Sequence, residues 1–211
     1  MFGIHDLALF VVSGLLLNMM PGPDSLLIMT RSATQGWRAG VAATWGIGAG
    51  TFVHIFAAAL GLSAILATSA TAFMVVKYIG AAYILYMAYG LLRSRGGAPV
   101  AEIGTVAALP YRRIFAQGFF TNVLNPKVAL FFLAFVPQFI DAASPNKALA
   151  FIILGVIFNF NGMLWCHALS LVTAKASARL KVSATASRVL NRITGALFLW
   201  LGVKLALSKQ T

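Results

Sequence analysis

Two side chains of opposite charge, Asp24 and Lys127, lie inside stretches otherwise apolar enough to cross a lipid bilayer. A charge at that depth is costly unless it is paired or faces water, so each reads first as a functional position. Each also stands beside helix-breaking residues: Asn18, Pro21, Gly22 and Pro23 in the first stretch, Asn122, Asn125 and Pro126 in the second. Proline removes a backbone donor and clashes with the preceding turn, so both segments should split into half-helices. Asp24 has a plainer reading as the N-cap of the second half-helix. Lys127 is too deep to snorkel easily. As a pair they could meet both ends of a zwitterion, the lysine and the helix dipoles holding a carboxylate while Asp24 meets an ammonium. Asn18, Pro21, Gly22, Pro23, Asp24, Asn122, Asn125, Pro126 and Lys127 form the candidate substrate site. The three asparagines also suit backbone groups freed at the breaks. His54, near the middle of another apolar stretch, can exchange a proton near neutral pH, and Asp24 and His54 are the proton-coupling candidates. A hydrogen-bonded structural histidine is the plainer reading of His54.

The elements that must position these residues are membrane helices. Of the 211 residues 60% are hydrophobic and 9% charged, and the mean hydropathy is +0.89. Apolar stretches of about 20 residues recur, too long for the alternating strands of a barrel, so the fold class is an all-α integral membrane protein in contact with the bilayer. The N-terminus lacks a basic segment and a cleavage site, and the first span is expected to stay in the mature chain. A net charge of +12 would suit nucleic acid, but the basic residues cluster between spans, where topology explains them and no nucleic-acid partner is needed. The lone Cys166 excludes an internal disulfide and a Cys-X-X-Cys centre. No P-loop, no metal-ligand spacing and no nucleophile–base–orienter set is present, so no cofactor, metal or enzyme activity is expected.

Six spans can be drawn, at about 6–28, 40–66, 73–93, 115–140, 148–172 and 193–207, the first and fourth broken. The middle of the third link, Val100 to Leu109, could lie along the membrane surface. The links at 31–38, 93–113 and 175–192 carry 11 of the 16 Lys and Arg, all on one face, which should be cytoplasmic with both termini outside. At one offset Gly14, Asn18 and Pro21-Gly22-Pro23 fall on Gly118, Asn122 and Asn125-Pro126-Lys127. Lys77-x-x-Gly80-Ala81-x-Tyr83 likewise matches Arg192-x-x-Gly195-Ala196-x-Phe198, and Gly50/His54 matches Gly162/His167. These pairings divide the chain into a three-helix repeat at 1–93, a cytoplasmic link at 94–114 and a second repeat at 115–211. Three is odd, so the second half enters from the opposite side, giving the inverted repeat that places a transporter's site near the midplane.

The motifs resemble the lysine exporter and homoserine/threonine-resistance group of bacterial amino-acid efflux proteins. The resemblance rests on Asn18 to Pro23, on Gly46 to His54, on Lys77 to Tyr83, on Asn125 to Lys127 and on Pro137 to Phe139, in order along nearly the whole chain. It implies proton-driven export of amino acids or their derivatives across a bacterial inner membrane. Few acidic residues lie in the spans, which disfavours a dibasic substrate and favours a small neutral one such as threonine or homoserine. A cation or metal exporter on a related fold is the alternative, and it calls for a carboxylate-rich or histidine-rich cavity. A membrane enzyme would need a catalytic constellation, whereas a passive channel fits the broken spans too, and an inverted repeat does not distinguish a channel from a carrier. The oligomeric state is open, a homo-oligomer included.

Overall fold

A computed structural model describes residues 2–64, 70–94, 107–141, 143–175 and 184–207. Among them the chain is helical, with one isolated bridge between Ile4 and Ile140. The first stretch forms α1 (Leu7–Met19) and α2 (Pro23–Gln35), bent by 53° at the Pro21-Gly22 break. Pro23 occupies the first turn of α2, where its missing N–H costs no helical bond. Gly36, at φ 81°, makes the sharp corner into α3 (Trp37–Phe56), a conformation that side chains with a Cβ rarely adopt. α3 continues through a π-helical turn at Ala57–Leu62, and α4 follows at Ala70–Arg93.

The second half repeats this order. α5 (Tyr111–Val123) and α6 (Pro126–Leu130) meet at the second break. α6 runs on through a π-helical turn at Phe131–Phe135 and a 3-10 turn at Val136–Phe139, and the pair is bent by 45°. Asn125 caps α6 by accepting the Lys127 N–H at 3.0 Å. α7 spans Lys147–Lys175 and α8 Ala184–Leu207. Among the described residues two single helices, Trp37–Leu62 and Lys147–Lys175, are long and apolar enough to cross a membrane, and four elements are if each bent pair counts as one span.

The breaks and the apolar segments fall where expected, and several ends move. The first segment runs to Gln35 rather than Ile28, so Arg31 is helical and buried instead of lying in a surface link. The last helix starts at Ala184, nine residues before Ile193, because the polar 184–192 stretch has no breaker to prevent helix. Most of Val100 to Leu109, and the middle of the basic segment after Lys175, lie outside the described residues.

Close packing relies on small residues. A Cβ on Gly46 would lie 2.0 Å from Phe115 O, and one on Gly118 would lie 2.3 Å from Ala43 O, so α3 and α5 touch backbone to backbone. One apolar cluster gathers Phe10, Phe131, Phe132, Phe135, Phe139 and Phe158. Another gathers Ile28, Ala43, Ile47, Ile114 and Cys166. The N-terminal residues pair with the α6–α7 link, His5 N–H donating to Phe139 O at 3.1 Å and Asp141 N–H to Gly3 O at 2.8 Å. At the opposite end the α2–α3 corner meets residues 107–110.

Candidate functional site

The two breaks meet in the middle of the helix bundle, and each supplies what the other lacks. Asp24, in the first turn of α2, accepts Asn122 Nδ2–H at 2.9 Å and Asn125 Nδ2–H at 3.2 Å, both on the same oxygen, Oδ2. Lys127, in the first turn of α6, donates to Leu17 O at 3.2 Å and Met20 O at 3.3 Å. Those carbonyls end α1, where the helix leaves acceptors without internal partners and concentrates partial negative charge. The ammonium therefore reinforces the C-terminus of α1, where Leu17 O already accepts the Met20 N–H at 3.3 Å.

The direct Asp24–Lys127 pair expected from the sequence is absent: the two groups make no ion pair within 4.0 Å. Each charge instead bonds the polar groups of the other break. Charge-assisted bonds to neutral amides and carbonyls satisfy both without neutralising either.

Asn122 is the hub of the second break and is 2% exposed. Its Oδ1 accepts the Thr51 hydroxyl at 3.3 Å, and its backbone carbonyl lies 3.0 Å from His54 Nε2. The donor there is the Nε2–H tautomer or imidazolium. His54 also stacks on Phe132, with ring centroids 6.2 Å apart. It thus sits behind Asn122, one hydrogen-bonded residue removed from Asp24.

A cavity of about 30 Å³ opens between the breaks and α7, lined by Asn18, Asp24, Thr51, Asn122, Lys127 and Cys166 among others. Its apolar wall includes Ile47, Phe158 and Met163. Two of the lining residues carry buried polar atoms with no partner, Asp24 Oδ1 and Asn18 Nδ2. Such orphans are rare in native interiors and call for an explanation, a ligand being one. They are an acceptor and a donor.

The expected site residues divide accordingly. Asn18, Asp24, Asn122 and Lys127 line the cavity, and Asn125 fixes Asp24 from behind. Pro21, Pro23 and Pro126 are exposed, and Gly22 does not line the cavity. Those four shape the backbone at the breaks, where a Cβ on Gly22 would lie 3.2 Å from Lys127 Nζ. His167 Nδ1–H donates to Met163 O of its own helix, and the ring sits edge-on to Trp45 away from the cavity. Residues not foreseen are Thr51, Ser25, Phe158, Met163 and Cys166; Asn159 and Gly162 had stood out only as polar or small at depth. Thr51 carried a signal in its place directly after the helix-packing Gly50. Among the described residues no group of three His, Cys, Asp or Glu side chains could hold a metal ion.

Comparison with known proteins places this arrangement. An uncharacterized membrane protein of Pseudomonas aeruginosa is 31% identical over 97% of the chain and 96% of its own length. The homoserine/homoserine lactone efflux protein of Salmonella typhimurium is 30% identical, over 95% of the chain and 96% of its own length. The leucine efflux protein of the same organism is 27% identical, over 97% and 96%. No solved structure matches significantly. The model of the LysE type translocator family matches residues 15–209, which take in both breaks and every residue lining the cavity. This multi-pass membrane chain belongs to the LysE type translocator family.

Proposed function

We propose that the protein is a secondary transporter that exports small neutral amino acids or their derivatives from the bacterial cytoplasm, driven by the proton gradient. The observation that carries this reading is the pair of orphan atoms, Asp24 Oδ1 and Asn18 Nδ2, on residues lining one cavity that Lys127 also lines. An α-ammonium suits the free carboxylate oxygen. An α-carboxylate suits the free amide N–H and the third hydrogen of Lys127, whose other two are taken by carbonyls. Ile47, Phe158 and Met163 offer an apolar wall for a side chain, and no second carboxylate waits for a second cation. The names of the leucine and homoserine efflux relatives fit such a substrate.

The cavity holds about two waters and no amino acid, so the helices must part to load it. Alternating access of two inverted three-helix halves supplies that motion. Matched contacts support the repeat. A Cβ on Gly50 would meet Asn122 and one on Gly162 would meet Asn18, so the glycine–asparagine contact recurs with its partners exchanged between halves. The six-span layout counts α4 and α8 as spans and sets the basic links on the cytoplasmic face, with both termini outside. Asp24 is the proton carrier in this scheme: protonation would weaken its hold on an ammonium. His54, through Asn122, positions the amide that holds Asp24.

The test uses purified protein in liposomes preloaded with a panel of amino acids, with and without an imposed pH gradient. Gradient-dependent loss of neutral amino acids is expected. Retention of the whole panel under both conditions would overturn the reading.

A further inference from the structure

Arg31 is a buried cation that the central site does not use, 5% exposed in the last turns of α2. Its guanidinium donates to Gln117 Oε1 at 2.9 Å, Gln35 Oε1 at 3.0 Å and Ala107 O at 3.2 Å. Gln35 completes the knot, its Nε2–H donating to Leu109 O at 3.0 Å and its Oε1 accepting Leu109 N–H at 3.1 Å. These bonds tie α2, α5 and residues 107–110 together at the basic end of the bundle. Every acceptor is neutral. Among the described residues no carboxylate pairs with Arg31, and its Nε–H is buried with no partner. A desolvated guanidinium is ordinarily matched to a carboxylate or phosphate, whose two oxygens fit its fork.

A groove of about 730 Å³ lies beside this knot, lined by Leu27, Leu109, Arg113, Gln117, Thr121 and Leu124. It follows α5 from Arg113 at the basic end to Leu124 at the second break, roughly 15 Å of helix. At the end away from Arg113 it reaches exposed Leu124, the sequence neighbour of Asn125, which holds Asp24. Gln117 and Leu109 belong both to the groove wall and to the Arg31 knot.

We propose that Arg31 is the entry site for the substrate's carboxylate and, with Gln35 and Gln117, the latch that closes the basic face of the central cavity. A carboxylate arriving along the groove offers the guanidinium an opposite charge and a bidentate fit, neither of which the amide oxygens it displaces supply. Losing the Gln117 and Ala107 bonds frees α2 from α5 and the segment before it, and the cavity between the breaks opens on the groove. The inference rests on the reading of an amino-acid substrate, and its test does not.

Cys166 lines the central cavity, is 9% exposed and is the chain's lone cysteine, so its alkylation reports opening. The full-length protein in lipid nanodiscs is treated with N-ethylmaleimide, with propionate, propionamide or chloride added at equal concentration, and labelling is followed by mass spectrometry. Propionate should raise the Cys166 rate by about fivefold, the equivalent of one net hydrogen bond, whereas propionamide and chloride should not. Arg31→Gln should label fast without propionate and ignore it. Gln117→Ala keeps the guanidinium, so it should raise the basal rate and still respond, a check that survives misfolding of the arginine variant. A wild-type rate indifferent to propionate would overturn the proposal, even with amino-acid export intact. Conversely, a propionate response in a protein that exports no amino acid would leave the latch standing and remove the substrate reading.

Discussion

At the first break α1 ends at Met19 and α2 begins at Pro23; at the second, α5 ends at Val123 and α6 begins at Pro126. The helices before the breaks are thus offset by 104 residues and those after by 103, so the second break is one residue shorter. With that residue removed, Asp24 and Lys127 occupy the same position, second in their half-helices, with opposite charge. Their partners differ as well. The carboxylate takes side-chain amides from the second break, whereas the ammonium takes backbone carbonyls from the first. Asn122 is fully committed, bound through its amide and its carbonyl, but the equivalent Asn18 keeps an unpartnered Nδ2. The second break is therefore framework, and the first holds the free polar atoms that a ligand can take.

Removing either charge should have the largest effect. Asp24→Asn and Lys127→Gln should each reduce amino-acid export by roughly 30-fold or more, since the other group is left buried without its charged counterpart nearby. The exchanged double variant, Asp24→Lys with Lys127→Asp, should remain inactive in the same flux assay, because each charge would face the wrong partners. Recovery on exchange would mean that a simple ion pair suffices.

The matched asparagines separate framework from ligand contact. Asn122→Ala should lower the apparent melting temperature in detergent as well as binding, because Thr51 and Asp24 both lose a partner while the backbone carbonyl that meets His54 stays. Asn18→Ala should leave melting nearly unchanged and weaken substrate binding by about fivefold, the worth of one hydrogen bond. Equal thermal losses would erase the distinction between the two breaks.

The matched glycines come next. An alanine at Gly50 would press on Phe119 O at 2.8 Å and on Asn122, so Gly50→Ala should cost about 1–3 kcal/mol of stability. At Gly162 the new methyl meets only the Asn18 side chain at 3.1 Å, which can shift. Gly162→Ala should melt close to wild type and alter binding instead. The smallest effect is expected at Gly22, whose backbone is extended at φ −167° and whose Cβ would meet the movable tip of Lys127. Gly22→Ala should cost less than about 1 kcal/mol in the same melting assay.

Much of this was legible in the residues. Proline, glycine and a charge inside an apolar run announce a break whatever the surroundings, and both breaks fall where the sequence puts them. The ungapped repeat, however, laid Pro23 on Lys127 and so hid the equivalence of Asp24 with Lys127, because a one-residue deletion leaves no trace in a slide at constant offset. Partner choice was illegible for a related reason. Which of several polar groups a buried ammonium meets depends on how far each broken pair bends, 53° at the first break and 45° at the second, and no local pattern encodes it. Arg31 read as a surface link because charge usually marks one; its burial depends on Gln117, 86 residues away.

The most direct test of the central claim, that the breaks recognise both ends of a zwitterion, compares leucine, N-acetyl-leucine and leucine amide as exported species in proteoliposomes under a pH gradient. The account predicts gradient-driven export of leucine alone, lost in both Asp24→Asn and Lys127→Gln. Export of either blocked derivative at the rate of leucine, or leucine export undiminished in both variants, would contradict it.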